Sequence, residues 1–115
     1  MTLFRAYLAV LLVALVAYTL FVMAAHGPNL FPVFFGDIAR LAWPGQFNLD
    51  FMMMLSLSAL WTAWRGGFAP GALGLAVLAF LGGALFLTIF LLTLSVRTGG
   101  DARRMLLGVH VEPQT

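Results

Sequence analysis

The sequence predicts an all-α integral membrane protein with three transmembrane helices and a short amphipathic helix between the first two. Of its 115 residues, 63% are hydrophobic and only 9% are charged, too few polar residues to cover a small soluble domain. Three apolar runs approach the ~20 residues that cross a hydrocarbon core of ~30 Å. We therefore expect one membrane domain that includes the whole chain.

The first predicted span covers residues 6–25, an uncharged run. It is longer than the ~7 to 15 apolar residues of a signal-peptide core, so we expect a retained span and not a cleaved leader. Residues 32–43 follow, in a segment interrupted by prolines. Their helical spacing predicts an amphipathic helix in the interface plane, with Phe34, Phe35 and Trp43 against the acyl chains. A re-entrant hairpin is the less favoured alternative, because lipid does not tolerate exposed broken backbone.

The second predicted span, residues 47–64, is the most polar, and Trp61 and Trp64 mark its far interface. Its polar residues have two interpretations. In the first, Asn48 is the N-cap and Asp50 lies in the first turn, where the helix dipole favours a carboxylate. Asp50 would then pair with Arg40 or Arg97. In the second, Asp50 and Ser58 share one helical face and form part of an ion or proton path.

The third predicted span, residues 70–96, starts at a proline that suits a first helical turn and is rich in small residues. Small side chains allow helices to approach closely in lipid. They predict a helix-packing face, used either inside the chain or for docking another subunit, and formed by Gly74, Ala79, Gly82 and Gly83.

The polar tail, residues 97–115, contains a predicted short helix capped by Asp101, with Arg103 and Arg104 placed to contact lipid headgroups. Three crossings place two arginines on the amino-terminal side and four on the other. The positive-inside rule then puts the carboxyl terminus in the cytoplasm.

Several functional classes lack support in the sequence. Cysteine is absent, which excludes thiolate chemistry. His26 and His110 fall at one interface on the three-span topology, but two ligands are fewer than a structural metal site needs, so we expect no metal and no cofactor. The six arginines are mostly scattered, which does not predict nucleic-acid binding. No nucleophile–base pair or paired acids are recognisable, so we expect no enzymatic activity.

Three motifs, "FNLDF", "LWTAWR" and "GGDARRMLLG", lie within residues 47–108. In these motifs the chain resembles small bacterial three-helix inner-membrane proteins known only as domains of unknown function. The resemblance implies a bacterial inner-membrane location and no particular activity or catalytic residue.

Together these observations predict a non-catalytic accessory or scaffolding subunit that packs against a larger membrane complex, such as a respiratory or photosynthetic assembly. The alternative is a small homo-oligomeric transporter or channel whose pore is lined by Asp50 and Ser58. A third possibility is a regulator that senses lipid through Arg103 and Arg104.

Overall fold

The computed structural model describes residues 1–111, and this part of the chain is helical with no strand, which confirms the all-α class. It measures 56 × 28 × 23 Å. Two of its helices, Thr2–His26 and Pro70–Arg97, are long and apolar enough to cross a membrane. In chain order the elements are α1 (Thr2–His26), α2 (Phe31–Ala39), α3 (Trp43–Arg65), α4 (Pro70–Arg97), α5 (Ala102–Leu107) and a final 3₁₀ turn (Gly108–His110).

The long helix α4 consists of two halves that lie side by side, because its backbone breaks at Gly83, where φ is 55° and ψ is −134°. The first half runs from Pro70 to the level of Phe51 on α3; the Phe51 Cζ atom lies 3.0 Å from the position a Cβ would take at Gly83. The second half returns along α3, since the Phe90 ring centre lies 5.7 Å from the guanidinium carbon of Arg65. In a straight α4, Phe90 would lie roughly 30 Å from Pro70 at 1.5 Å per residue, and so far from Arg65, which is next to the start of α4.

This reversal differs from the single third span that the sequence predicts, and the count of three straight spans is not confirmed. Residues 70–82 and 84–97 each form a helical half about 20 Å long, shorter than the ~30 Å hydrocarbon core. Both outer ends of α4 lie at the same end of the molecule. Its length and hydropathy are those of a membrane span, but its path is that of a hairpin.

Helix α1 packs against α4 through its first half. Leu8 is the one residue of α1 that is buried, and the Arg5 side chain reaches Ser95 on the second half of α4. The second half of α1 is largely exposed, with Tyr18 and Phe21 both more than 70% accessible. Much of the apolar surface of α1 is therefore left uncovered by the described chain.

Helices α2 and α3 form a tight antiparallel hairpin. Gly45 is buried where the hairpin closes, and a Cβ at this position would collide with the carbonyl group of Asp37. Helix α2 thus runs alongside α3, and its position in an interface plane stays a prediction. The predicted segment 32–43 also ends too late, because α2 stops at Ala39 and Trp43 is the first residue of α3.

The long axis of the molecule separates two ends with different charge. We call one the arginine end; it holds the start of α1, the ends of α3 and α4, and α5, and so carries Arg5, Arg65, Arg97, Arg103 and Arg104. We call the other the α2 end; it holds the α2–α3 turn with Arg40, which lies 3.8 Å from the Asp37 carboxylate.

Candidate functional site

Asp50 lies on the outward side of α3, with the exposed side chain of Gln46 one turn before it and apolar side chains in the turns after it. It is exposed, and so are its neighbours Met53, Met54 and Leu57 one and two turns further along the helix. Within residues 1–111 its carboxylate makes no hydrogen bond or ion pair, since the one ion pair there joins Asp37 to Arg40. A charged group on an apolar helix face is costly unless something pairs with it.

The prediction that Asn48 caps the helix and that Asp50 occupies its first turn is wrong. Helix α3 begins at Trp43, so Asn48 is inside the helix, and its Nδ2 donates to the Phe34 carbonyl on α2 at 3.1 Å. Asp50 is about 10 Å along the axis from Trp43, beyond the reach of the free N–H groups of the first turn. The helix terminus therefore does not explain this carboxylate.

Ser58 has a different environment from Asp50. Its Oγ atom is buried and has no hydrogen-bond partner among the described residues, while its carbonyl accepts a bond from Thr62 Oγ1 at 2.8 Å. Asp50 faces outward. The shared polar face that the sequence suggests does not form within the described chain, although both residues are on α3.

The small residues of α4 are divided between the interior and the surface. Ala79 is fully buried and Gly83 is buried against Phe51 and Leu55 of α3, so these two serve packing within the chain. Gly82 lies at the reversal, where a Cβ would be 2.8 Å from the Phe86 Cβ. Gly74 is exposed with no neighbouring side chain close to it. The predicted face is therefore mainly internal.

A second group of polar contacts ties the arginine end together. Arg5 donates from Nε to Ser95 Oγ at 3.0 Å and from Nη2 to the Ser95 carbonyl at 2.7 Å. Ser95 is fully buried, and its Oγ donates to the Leu92 carbonyl at 2.8 Å. These bonds fasten the start of α1 to the end of α4.

Helix α5 is held at the arginine end by side chains from α3. Arg65 donates from Nε to the Met105 carbonyl at 2.5 Å and from Nη2 to the Arg104 carbonyl at 3.2 Å. Trp61 Nε1 donates to the Leu106 carbonyl at 3.0 Å. The three bonds satisfy carbonyl groups of a six-residue helix that has few internal bonds of its own.

The predicted cap of this short helix is confirmed. An Asp101 carboxylate oxygen accepts from the backbone N–H groups of Arg103 at 3.1 Å and Arg104 at 3.3 Å. The side chains of both arginines are exposed.

The two histidines lie at opposite ends of the molecule, which corrects the expectation that they share an interface. His26 ends α1 beside the turn that leads into α2. His110 lies at the arginine end, where its ring stacks on Trp64 with centres 4.0 Å apart and its Nε2 is 2.7 Å from the Trp64 carbonyl. Among residues 1–111 no three His, Asp or Glu side chains come together as metal ligands.

The predicted interfacial aromatic residues are found at both ends. Phe34 and Phe35 on α2 meet edge to face with ring centres 5.1 Å apart. Trp43 opens α3 at the same end, and Trp61 and Trp64 close it at the arginine end.

Sequence reasoning missed Arg5, Ser95 and Arg65 as partners in the arginine-end network. Arg5 and Ser95 are separated by 90 positions, and no periodic pattern links them. One signal was present in the residues themselves: isolated arginines at the ends of apolar runs offer several donors to carbonyl groups that a helix end leaves free.

Comparison of the chain with protein-family models, curated proteins and solved structures found no match. The resemblance to bacterial inner-membrane proteins of unknown function therefore stays a prediction.

Proposed function

We propose that this protein is a non-catalytic accessory or scaffolding subunit of a larger membrane protein complex, and that Asp50 on α3 contacts a transmembrane helix of its partner. The carrying observation is the exposed Asp50 carboxylate, which is unpaired within residues 1–111. In this proposal α1 and α3 cross a bacterial inner membrane, and α4 enters and leaves from one side.

The position of Asp50 along α3 supports a partner inside the membrane. If Trp43 and Arg65 mark the two interfaces, Asp50 lies about 10 Å from one and 22 Å from the other. A carboxylate at the centre of a spanning helix costs about 2.5 to 3.5 kcal/mol on insertion scales, and one about 10 Å inside an interface bears part of that cost. A hydrogen-bond donor or a cation on a neighbouring helix would offset this cost, and an intramembrane acid often marks such a contact.

The distribution of cations favours a different chain as the partner over a second copy. All six arginines of this chain lie at its two ends, five at the arginine end and Arg40 at the α2 end. A parallel second copy would bring no cation to the depth of Asp50, only another Asp50, apolar side chains and the amide of Gln46 one turn away. We therefore propose a partner helix that carries an Arg, Lys, His or amide side chain at the depth of Asp50.

The orientation of the chain follows from the same distribution. With α4 as a hairpin, five arginines are on one side of the membrane and one on the other, a larger difference than the four against two of the three-span topology. The positive-inside rule then places the arginine end in the cytoplasm, with both the start of α1 and α5 on that side.

The alternative of a homo-oligomeric pore requires Asp50 and Ser58 to face one aqueous space. The burial of Ser58 Oγ and the outward position of Asp50 do not favour that arrangement.

Mild extraction from the native membrane, followed by measurement of the mass and composition of the particle, tests this proposal. We expect a heteromeric particle with the wild-type protein and loss of the partner with Asp50→Leu. The control Met54→Leu changes a neighbouring exposed residue on α3 without changing charge and should retain the partner. Because Asp50→Leu removes an unpaired charge, the isolated variant should unfold at the wild-type temperature or above it.

Two results would contradict the proposal. If the Asp50→Leu variant still copurifies fully with the partner, Asp50 does not take part in the contact. A particle composed of this chain alone would instead favour the oligomeric alternative, and ion flux through Asp50→Asn would then decide whether Asp50 lines a pore.

A further inference from the structure

An apolar cleft opens at the arginine end, between the start of α1, the second half of α4 and α5. Its volume is about 310 Å³, at the lower end of the range of small-molecule sites. None of its lining side chains carries a charge or a hydrogen-bonding group other than a thioether. The cleft is lined by Met1, Phe4, Leu91, Ala102, Met105 and Leu106.

Two exposed cations belong to the same short helix that forms one wall of this cleft. Arg103 and Arg104 lie in sequence between the lining residues Ala102 and Met105, and neither makes an ion pair within residues 1–111. The nearby Asp101 carboxylate is engaged with backbone N–H groups as the helix cap. The arginine end therefore combines an apolar cleft with two exposed guanidinium groups that make no ion pair within residues 1–111.

The cleft is held in place by contacts that do not involve these two guanidinium groups. Arg65 and Trp61 donate hydrogen bonds to the carbonyl groups of α5. The side chain of Met105, on the inner face of α5, is 97% buried. The position of α5 over the cleft is thus set by α3 and not by any ligand. A ligand would meet a preformed site, which lowers the entropic cost of binding.

We propose that the arginine end binds an anionic phospholipid, with an acyl chain in the cleft and the phosphate on Arg103 and Arg104. Guanidinium groups bind phosphate oxygens through paired hydrogen bonds, and the apolar lining suits a hydrocarbon chain. A free inorganic anion would gain nothing from the cleft, so the two features together point to a lipid. The inference is independent of any protein partner at Asp50.

Quenching of tryptophan fluorescence by brominated lipids provides the test. Trp61 and Trp64 both lie beside α5 or the following turn, and Trp43→Phe removes the tryptophan at the other end. In phosphatidylcholine vesicles, we expect brominated phosphatidylglycerol to quench at a lower mole fraction than brominated phosphatidylcholine. Each arginine near an anionic lipid contributes a factor of about five, so Arg103→Gln with Arg104→Gln should weaken the preference by up to about 30-fold.

The control is Arg40→Gln, which removes one positive charge at the α2 end, against two in the double variant, and should leave the preference unchanged. Equal quenching by the two lipids in the Trp43→Phe background would overturn the proposal. The proposal would also be overturned if Arg40→Gln lost as much preference for each charge removed as the double variant at positions 103 and 104. In that case the net charge of the protein, and not the site, would attract the lipid.

A second variant tests the cleft itself. Ala102→Leu places a larger side chain in the cleft and keeps both arginines, and leucine is a good helix former. We expect this variant to lose the preference for phosphatidylglycerol. In the protein that keeps Ala102, we expect soluble glycerol phosphate not to displace the bound lipid. An undiminished preference in Ala102→Leu, or displacement by glycerol phosphate, would show that only the headgroup is bound and would overturn the assignment of the cleft.

Discussion

At the residue scale, the backbone of Gly83 adopts φ 55° and ψ −134°, a combination open to glycine and strained for other residues. The same position is enclosed by Phe51 and Leu55, whose nearest atoms lie 3.0 and 3.2 Å from a Cβ built there. Backbone conformation and close packing thus both require glycine at the point where α4 reverses. This glycine, predicted as part of a helix-packing face, packs inside the chain and also turns it.

We expect Gly83→Ala to lower the free energy of unfolding by about 1 to 3 kcal/mol, the usual cost of a strained backbone conformation. Thermal unfolding of the purified protein in detergent measures the effect. Gly74→Ala is the matched control, because position 74 is open and helical; alanine should be neutral or stabilising there by up to ~1 kcal/mol. Equal unfolding temperatures for the two variants would argue against a break at Gly83.

The misplacement of Asp50 in the sequence analysis has a local cause. The interpretation of Asn48 as an N-cap overlooked the Trp43–Pro44 pair, although proline is favoured in the first helical turn. A start at Trp43 moves Asp50 into the third turn and removes the stabilisation by the helix dipole. The Trp43–Pro44 pair is therefore a sequence signal for the correct boundary.

At the element scale, α5 illustrates a short helix that depends on its neighbours. A six-residue helix is far below the length at which isolated helices are stable in water. Its cap by Asp101 was predictable, because an aspartate before a helical run is a recognised start signal. Its docking by Arg65 and Trp61 was not, because these donors come from a distant part of the chain.

We expect Arg65→Lys to loosen α5. Lysine keeps the charge but cannot reproduce the two guanidinium bonds to the carbonyl groups of Met105 and Arg104. Hydrogen bonds to charged groups contribute about 1.5 to 3 kcal/mol each, so amide hydrogen exchange in α5 should accelerate by roughly tenfold or more. Arg97→Lys at the end of α4 is the control and should leave this exchange unchanged. Unaltered protection in Arg65→Lys would show that α5 is held by other contacts.

At the scale of the whole molecule, the reversal of α4 decides which segments share an end of the molecule. The loop between α3 and α4 and the turn after α5 lie together at the arginine end, opposite the α2–α3 turn. A straight third span would instead place the turn after α5 on the same side as the α2–α3 turn. The two topologies predict opposite accessibility for one segment of the chain.

Single-cysteine labelling distinguishes them, and the absence of native cysteine removes any background. We expect a membrane-impermeant maleimide applied to intact spheroplasts to label Leu41→Cys. Phe68→Cys and Val109→Cys should react only after the membrane is permeabilised. All three side chains are more than half exposed, so each site is accessible to reagent. Labelling of Val109→Cys together with Leu41→Cys in intact spheroplasts would restore the three-span topology.

The sequence by itself determined the helical class, the presence of helices apolar and long enough to cross a membrane, and the approximate extent of each apolar run. Composition and hydropathy are local properties, and they record how a segment interacts with lipid whatever its neighbours are. The tertiary structure decided the path of α4, the outward position of Asp50, the burial of the Ser58 Oγ atom and the assembly of the arginine end. Each of these depends on which helices touch, and pairs such as Arg5 with Ser95 arise from packing between segments distant in sequence. Hydropathy cannot distinguish a straight span from a hairpin of equal length, because both are equally apolar and differ only at the backbone of Gly83.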